Sequence, residues 1–254
     1  MKILTGQALH EQIAIGRLHF LQRRPQMLQQ KSQLTWQEED ERYLGAQKQS
    51  VLQLAALYDR ALGEVGDETA SIFAIHAMLL QDGDLVRRTR RMIREEGVTA
   101  EYAAQTVGDQ VADTFAQMDS EYMRQRAVDI QDITRRVVLW LLNTGAPKCQ
   151  STEPVILVAE KFLPSEVMEL DRRKMLGLIS SRDGVTSHTA LLLKAYGIAA
   201  MVDVPMEPTW EGRLSLMDGF AQKLYLDPED SLMEELRLNY QEGGKPKQMQ
   251  ENMV

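Results

Sequence analysis

Residues 183–197 read DGVTSHTALLLKAYG, and His188 within them is a side chain placed to do chemistry. A helix that begins at His188 leaves the backbone N–H groups of its first turn without intrahelical partners. Those groups, together with the positive end of the helix dipole, favour an anion at the same spot. Thr186 and Ser187 add hydroxyls, and Gly184 lets the backbone approach a ligand closely. The dipole also opposes protonation of the imidazole, which leaves a ring nitrogen available as a nucleophile. An imidazole flanked by such donors suits attack on phosphorus, with a phosphohistidine as the carrier. An ordinary helix-capping role is also compatible with T-S-H at a helix start, and from this stretch alone both readings stand.

The surrounding pattern predicts what holds that histidine. Ala190, Leu191, Leu192, Leu193 and Ala195 make the following helix apolar on nearly every side, which predicts burial on a sheet. PVILVAE (154–160), KMLGLISS (174–181) and IAAMVDV (198–204) read as strands, separated by helices at LPSEVMELDRR and HTALLLKAYG. GRLSLMDG and FAQKLYLD read as a hairpin joined near Gly219, and IAIGRLHF near the N-terminus as a further strand. Strand alternating with helix predicts an α/β unit. Between these parts the texture is different. Residues 36–143 repeat apolar side chains at helical spacing, with Thr99 as a helix N-cap and Gly97 as a C-cap. No proline falls between Pro25 and Pro147. The expected architecture is an α/β unit (1–25 plus 146–230) with an inserted all-α bundle (30–145), then a linker helix and polar tail (229–254). Pro25 and the glutamine-rich residues 26–33 read as a linker.

Composition narrows the partners. The chain has 254 residues, a formal charge of −8, 44% hydrophobic and 26% charged residues. This is a folded, acidic chain, which argues against nucleic acid or an anionic membrane as the main partner and suits a basic protein. A single cysteine, Cys149, excludes an intrachain disulfide and favours the cytoplasm. Its segment reads as a loop. Four histidines and one cysteine show no zinc spacing, and no window approaches a membrane span. No metal site is expected in the chain.

GVTSHTALLLKAYGIAAMV resembles the active-site signature of the phosphoenolpyruvate-utilising enzymes. Three further stretches are similar to enzyme I of the phosphotransferase system: SIFAIHAMLLQDGDL, DSEYMRQRAVDIQDITRRV and VILVAEKFLPSEVMEL. The resemblance covers residues 1–240 and implies a swivelling α/β phosphohistidine subdomain with an inserted helical one. It implies that His188 carries a phosphoryl group on Nε2 and exchanges it with the carrier protein HPr, with Thr186, Ser187, Gly184 and Lys194 in the same site. It implies a carrier-docking face from Glu68, His76, Met78, Leu79, Asp82, Asp84 and Arg126. Phosphoenolpyruvate and magnesium are implied only for a barrel domain beyond Val254, so this chain is expected to lack a cofactor of its own and to be monomeric. It is either a part of a longer protein or a stand-alone form.

The resemblance is imperfect around the histidine. Asp183 stands at the signature's first glycine, Val185 where many members have a basic residue, Lys194 at its arginine and Ala199 at its proline. Val167 replaces a threonine able to contact the resting histidine, and Lys161 replaces an aspartate. These changes motivate an alternative, a non-catalytic or diverged chain that binds an HPr-like carrier, and a third reading, a relay with a different partner.

Overall fold

The run Val155–Ala159 shows why this sequence builds a two-sided sheet. It is buried along its whole length as strand β4. Val155, Leu157 and Ala159 join one apolar cluster, and Ile156 and Val158 join another on the opposite face. A two-residue period with both faces covered is what a parallel strand between layers requires. The computed structural model describes residues 1–23, 27–144 and 151–241. Cys149, Gly145, the prolines at 25 and 147 and the tail after Gln241 lie outside the described residues.

Eight strands form one sheet: β1 (Lys2–Thr5), β2 (Gln7–Ala8), β3 (Ile13–Phe20), β4, β5 (Met175–Ser180), β6 (Ala200–Val202), β7 (Leu214–Asp218) and β8 (Lys223–Leu226). Their order is β1-β8-β7-β3-β4-β5-β6-β2. β3 to β6 run parallel, whereas β7, β8, β1 and β2 pair antiparallel with their neighbours. β1 and β2 are separated only by Gly6, yet they pair with opposite edges of the sheet. The chain there passes from one edge of the sheet to the other. A Cβ on Gly6 would lie 2.4 Å from Val204 Cγ2, so the crossing requires glycine.

Five helices form the inserted bundle: α1 (Trp36–Val65), α2 (Asp67–Leu80), α3 (Gly83–Glu96), α4 (Ala100–Ala116) and α5 (Glu121–Leu141). Their ends follow local rules. Thr35 and Glu38 make a capping box at α1. Gly97, at φ 62°, closes α3 in the left-handed region, and Thr99 caps α4 through Tyr102 N. Residues 29–32 are not a free tether. Thr99 N donates to Gln30 O (3.0 Å), Ser32 N donates to Gly97 O (3.2 Å), and Lys31 bridges Val98. That short stretch is hydrogen-bonded to the α3–α4 turn.

Two short helices lie on the sheet, α6 (Pro164–Glu169) and α7 (His188–Ala195), and α8 (Asp230–Gln241) follows β8. Only part of the expected burial of α7 is against the sheet. Ala190 and Leu193 join the sheet cluster, Leu192 joins the bundle core, and Leu191 is exposed. α7 is therefore held between sheet and bundle. Met168 of α6 reaches the bundle core in the same way.

A surface tie reinforces that seam. Glu64, at the end of α1, accepts from Arg172, whose guanidinium lies 3.9 Å from the centre of the Tyr196 ring. The hydrogen bond from Arg172 holds the Glu64 carboxyl down to about 2. A depressed carboxylate adds stability that is present above its unfolded value of about 4.3 and is lost as pH falls toward the folded one. Glu64 is partly exposed, so the contribution is below about 1 kcal/mol. The expected result is that Glu64→Gln lowers Tm slightly at pH 6, and that the difference from wild type shrinks at pH 3.

Candidate active site

His188 is the first residue of α7, at the carboxyl end of the parallel strand β5. Ligands of open α/β sheets gather at that end. Ser187 precedes it with extended backbone, and its Oγ accepts from Ala190 N at 3.1 Å. The β5–α7 loop and the first turn of α7 are fastened to the β4–α6 loop by two bonds on Phe162. Phe162 N donates to Asp183 Oδ2 (3.1 Å), and Thr189 Oγ1 donates to Phe162 O (2.7 Å). Asp183 is thus buried and turned into the body, and burial pushes its carboxyl up. It does not oppose an anion at the helix start.

The other candidates take distinct places. Gly184 has open space around its Cα and accepts from Ser187 N through its carbonyl. Thr186 Oγ1 accepts from Gln125 Nε2 of α5 at 2.9 Å. Lys194 is exposed at the far end of α7 and folds back to donate to Val185 O at 3.2 Å. It steadies the loop but has no bond to the imidazole. Val167 is buried in the sheet cluster and offers His188 no polar group.

The imidazole instead meets a carboxylate from the bundle. His188 Nδ1 lies 3.0 Å from Asp129 Oδ1 on α5. Asp129 is 1% exposed and accepts from Arg126 Nη1 through Oδ2 at 3.0 Å. The guanidinium of Arg126 also lies over the Tyr122 ring, 4.7 Å from its centre. Burial favours the neutral form of Asp129, but the hydrogen bond from His188 and the closeness of the His76 ring outweigh it and hold the carboxyl well below the usual range. His188 Nε2 has no hydrogen-bond partner among the described residues.

His76 requires a correction. The docking face was expected to include it, but its side chain is fully buried. Nε2 lies 3.1 Å from Asp129 Oδ1 and Nδ1 3.6 Å from Asp132 Oδ2, neither along a hydrogen-bonding direction. Its ring packs edge-on against Phe73. His76 is a buried support of the site in this arrangement and touches no surface. Of the remaining docking candidates, Glu68, Met78, Asp82 and Asp84 are exposed, Leu79 is half-buried, and Arg126 is largely covered. Met78 is the most open large apolar side chain of α2, at 72%. Asp82 also has a local duty, capping α3 by accepting from Asp84 N and Leu85 N.

Asp129, Asp132 and Gln125 were not among the expected site residues. Their signal was available in DSEYMRQRAVDIQDITRRV, where Arg126, Asp129 and Asp132 recur every third residue and share one helix face. Nothing local shows that this face meets α7.

Comparison with known proteins settles the family. Residues 5–126 match the family described as "PEP-utilising enzyme, N-terminal", and residues 151–222 match "PEP-utilising enzyme, mobile domain". The chain belongs to the PEP-utilising enzymes. The phosphoenolpyruvate-protein phosphotransferase of Priestia megaterium is 33% identical over 233 residues, 90% of this chain and 40% of that protein. The protein of the same name from Bacillus subtilis strain 168 is 30% identical over 238 residues, 92% of this chain and 42% of that one. The chain therefore spans about two-fifths of the length of these PEP-utilising relatives. A solution structure of Enzyme I (nEIt) covers 94% of this chain and 98% of that one, with a TM-score of 0.69 and 26% identity. The N-terminal domain of Enzyme 1 - Nitrogen covers 92% and 98%, with a TM-score of 0.62 and 25% identity. The fold of this chain is that of the enzyme I N-terminal domain.

Proposed function

We propose that this chain is the phosphoryl-relay part of a cytoplasmic phosphoenolpyruvate-dependent phosphotransferase system. His188 receives a phosphoryl group on Nε2 and exchanges it with HPr or an HPr-like carrier. The observation that carries the reading is the state of the imidazole: one nitrogen is engaged by a buried carboxylate, the other has no partner, and the ring begins an apolar helix locked between two layers. A nucleophile on a rigid element keeps its direction when a partner docks. The first-turn N–H groups of α7 then face the phosphoryl oxygens.

Docking is assigned to the exposed side of α2 and the start of α3. Glu68, Asp82 and Asp84 supply negative charge for a basic carrier, and Met78 supplies an apolar anchor beside Leu79. Residues 1–25 with 146–230 act as one moving unit and 30–145 as the docking unit, and, if the chain is part of a longer protein, the linker helix and tail (229–254) join it to a phosphoenolpyruvate-binding domain. That domain, with its magnesium, supplies the phosphoryl group in the forward direction. Among the described residues no group of three or more His, Cys, Asp or Glu side chains is placed to hold a metal, so no residue of this chain is assigned to it.

The test is phosphoryl exchange with a phosphorylated HPr from the same organism, read by intact mass. The chain is expected to gain one phosphate. Binding of the carrier with no gain in mass would favour the binding-only reading. Failure to bind or react with any HPr-like carrier would favour a different partner.

A further inference from the structure

We infer that Asp129 is the positioning residue of the phosphoryl transfer: it fixes the Nδ1–H tautomer of His188 and offsets the positive charge that the ring acquires as Nε2 bonds to phosphorus. The inference rests on the relay reading proposed above and names the group that makes Nε2 reactive.

Each polar neighbour of the imidazole has a defined occupation. Ser187 Oγ caps α7, Thr186 Oγ1 accepts from Gln125, and the Lys194 ammonium is on Val185 O. Val167 has no polar atom to offer. Asp129 Oδ1, 3.0 Å from Nδ1, is left as the group that reaches the ring. The carboxylate is itself held. Arg126 binds its second oxygen, His76 abuts the first from the other side, and α5 is a 21-residue helix packed in the bundle. Both the direction and the charge of Oδ1 are therefore fixed.

An ionised carboxylate only accepts hydrogen bonds. Nδ1 must then carry the proton, and the lone pair is on Nε2, the nitrogen with no partner. In the transfer, the Nε2 lone pair forms a bond to phosphorus. The bond between phosphorus and the carrier's imidazole nitrogen breaks, and its electron pair stays on that nitrogen. The PO3 group moves, no proton needs to move, and the product ring of His188 keeps Nδ1–H and gains positive charge. That charge sits opposite the carboxylate of Asp129, itself buried, and an opposite charge held from the buried side is worth more than one in bulk water. A histidine oriented by a carboxylate at its other nitrogen is a general device for metal ligands and nucleophile-activating bases alike. Here the device spans the seam, because Asp129 belongs to the bundle and His188 to the sheet unit.

The experiment pairs ¹⁵N NMR of the His188 ring with the rate of phosphate uptake from phosphorylated HPr. Wild type is expected to show protonated Nδ1 and unprotonated Nε2 at neutral pH. Asp129→Asn can donate its amide to Nδ1, and is expected to shift the proton to Nε2 and slow uptake by about 100-fold or more, in line with other histidine–aspartate pairs. Asp129→Glu, which restores the charge, is expected to recover part of the rate. An unprotonated Nδ1 in the wild-type chain overturns the inference without any variant, so a poorly folded Asp129→Asn does not shelter it. Unchanged or faster uptake by a folded Asp129→Asn overturns it as well. Wild type that takes up no phosphate while its tautomer follows Asp129 overturns the relay reading and the transfer role together, and leaves the tautomer contact standing as structure.

Discussion

Replacing His188 by alanine is expected to abolish phosphate uptake altogether and to leave the fold intact. The chain has four histidines, and the other three are disposed against substitution for it. His76 is sealed between two carboxylates. His10 Nε2 is 3.4 Å from Leu193 O, and His19 Nδ1 is 2.9 Å from Glu211. None stands at a helix N-terminus, so none has an array of first-turn N–H donors for a phosphoryl group. The structural cost of the change is moderate. Asp129 loses one charged hydrogen bond, worth about 2 kcal/mol, but keeps Arg126. The informative comparison is intact mass after incubation with phosphorylated HPr, beside the urea midpoint of both chains. A variant that still unfolds cooperatively, at a lowered midpoint, and gains no phosphate ties the relay to one ring. A variant that still gains phosphate refutes His188 as the carrier.

The departures from the signature around His188 are better judged from positions than from residue types. A carboxylate at 183 threatens an incoming phosphoryl group only if it faces the site, and here it faces Phe162 N. Lys194 has its charge at the loop carbonyl of Val185, so losing the arginine fork leaves the imidazole untouched. The change at Val167 has a counterpart elsewhere: position 167 offers the ring no hydroxyl, and the ring is held from α5. These placements favour a site with altered supports over one that has lost its chemistry.

Much of this was legible along the chain because it depends on neighbours in sequence. β3 reads as a strand from IAIGRLHF, and the ends of α3 and α4 follow from Gly97 and Thr99, because period and capping are local. β1 and β2 are too short to show a period, and what makes them strands is pairing with β8 and β6 more than 190 residues away. Residues 29–32 read as a linker from composition, but their backbone bonds to the α3–α4 turn are tertiary. The largest gap was at the site. His76 sits in an apolar helix in either setting, and only the packing of α5 and α7 against α2 determines that it is covered. Asp129 was in plain view within a motif, but its role depends on α7 crossing the seam to meet it.

Truncating Asp132 to alanine is expected to give the largest loss of stability among single changes at the site, about 3 kcal/mol, with phosphate uptake retained. Asp132 ties α5 to α6: Oδ2 accepts from Ser165 N at 2.9 Å and Oδ1 accepts from the Ser165 hydroxyl. Burial pushes its carboxyl up, against the nearby His76 and Arg136 side chains and the bonds from Ser165. Removing the carboxyl leaves a buried N–H and hydroxyl without an acceptor and opens a gap beside His76. Asp132→Asn keeps an oxygen for Ser165 N and is expected to cost less than half as much. Ser165→Ala, which leaves the backbone bond, is expected to cost about 1 kcal/mol. Urea midpoints of the three variants test this order; an alanine variant within about 0.5 kcal/mol of wild type would show that the tie contributes little. Asp129 and Asp132 lie one turn apart on α5 and both flank His76, yet only Asp129 reaches the ring of His188. If stability falls at 132 while transfer rate falls at 129, holding the seam together and preparing the nucleophile are separable tasks of one helix face.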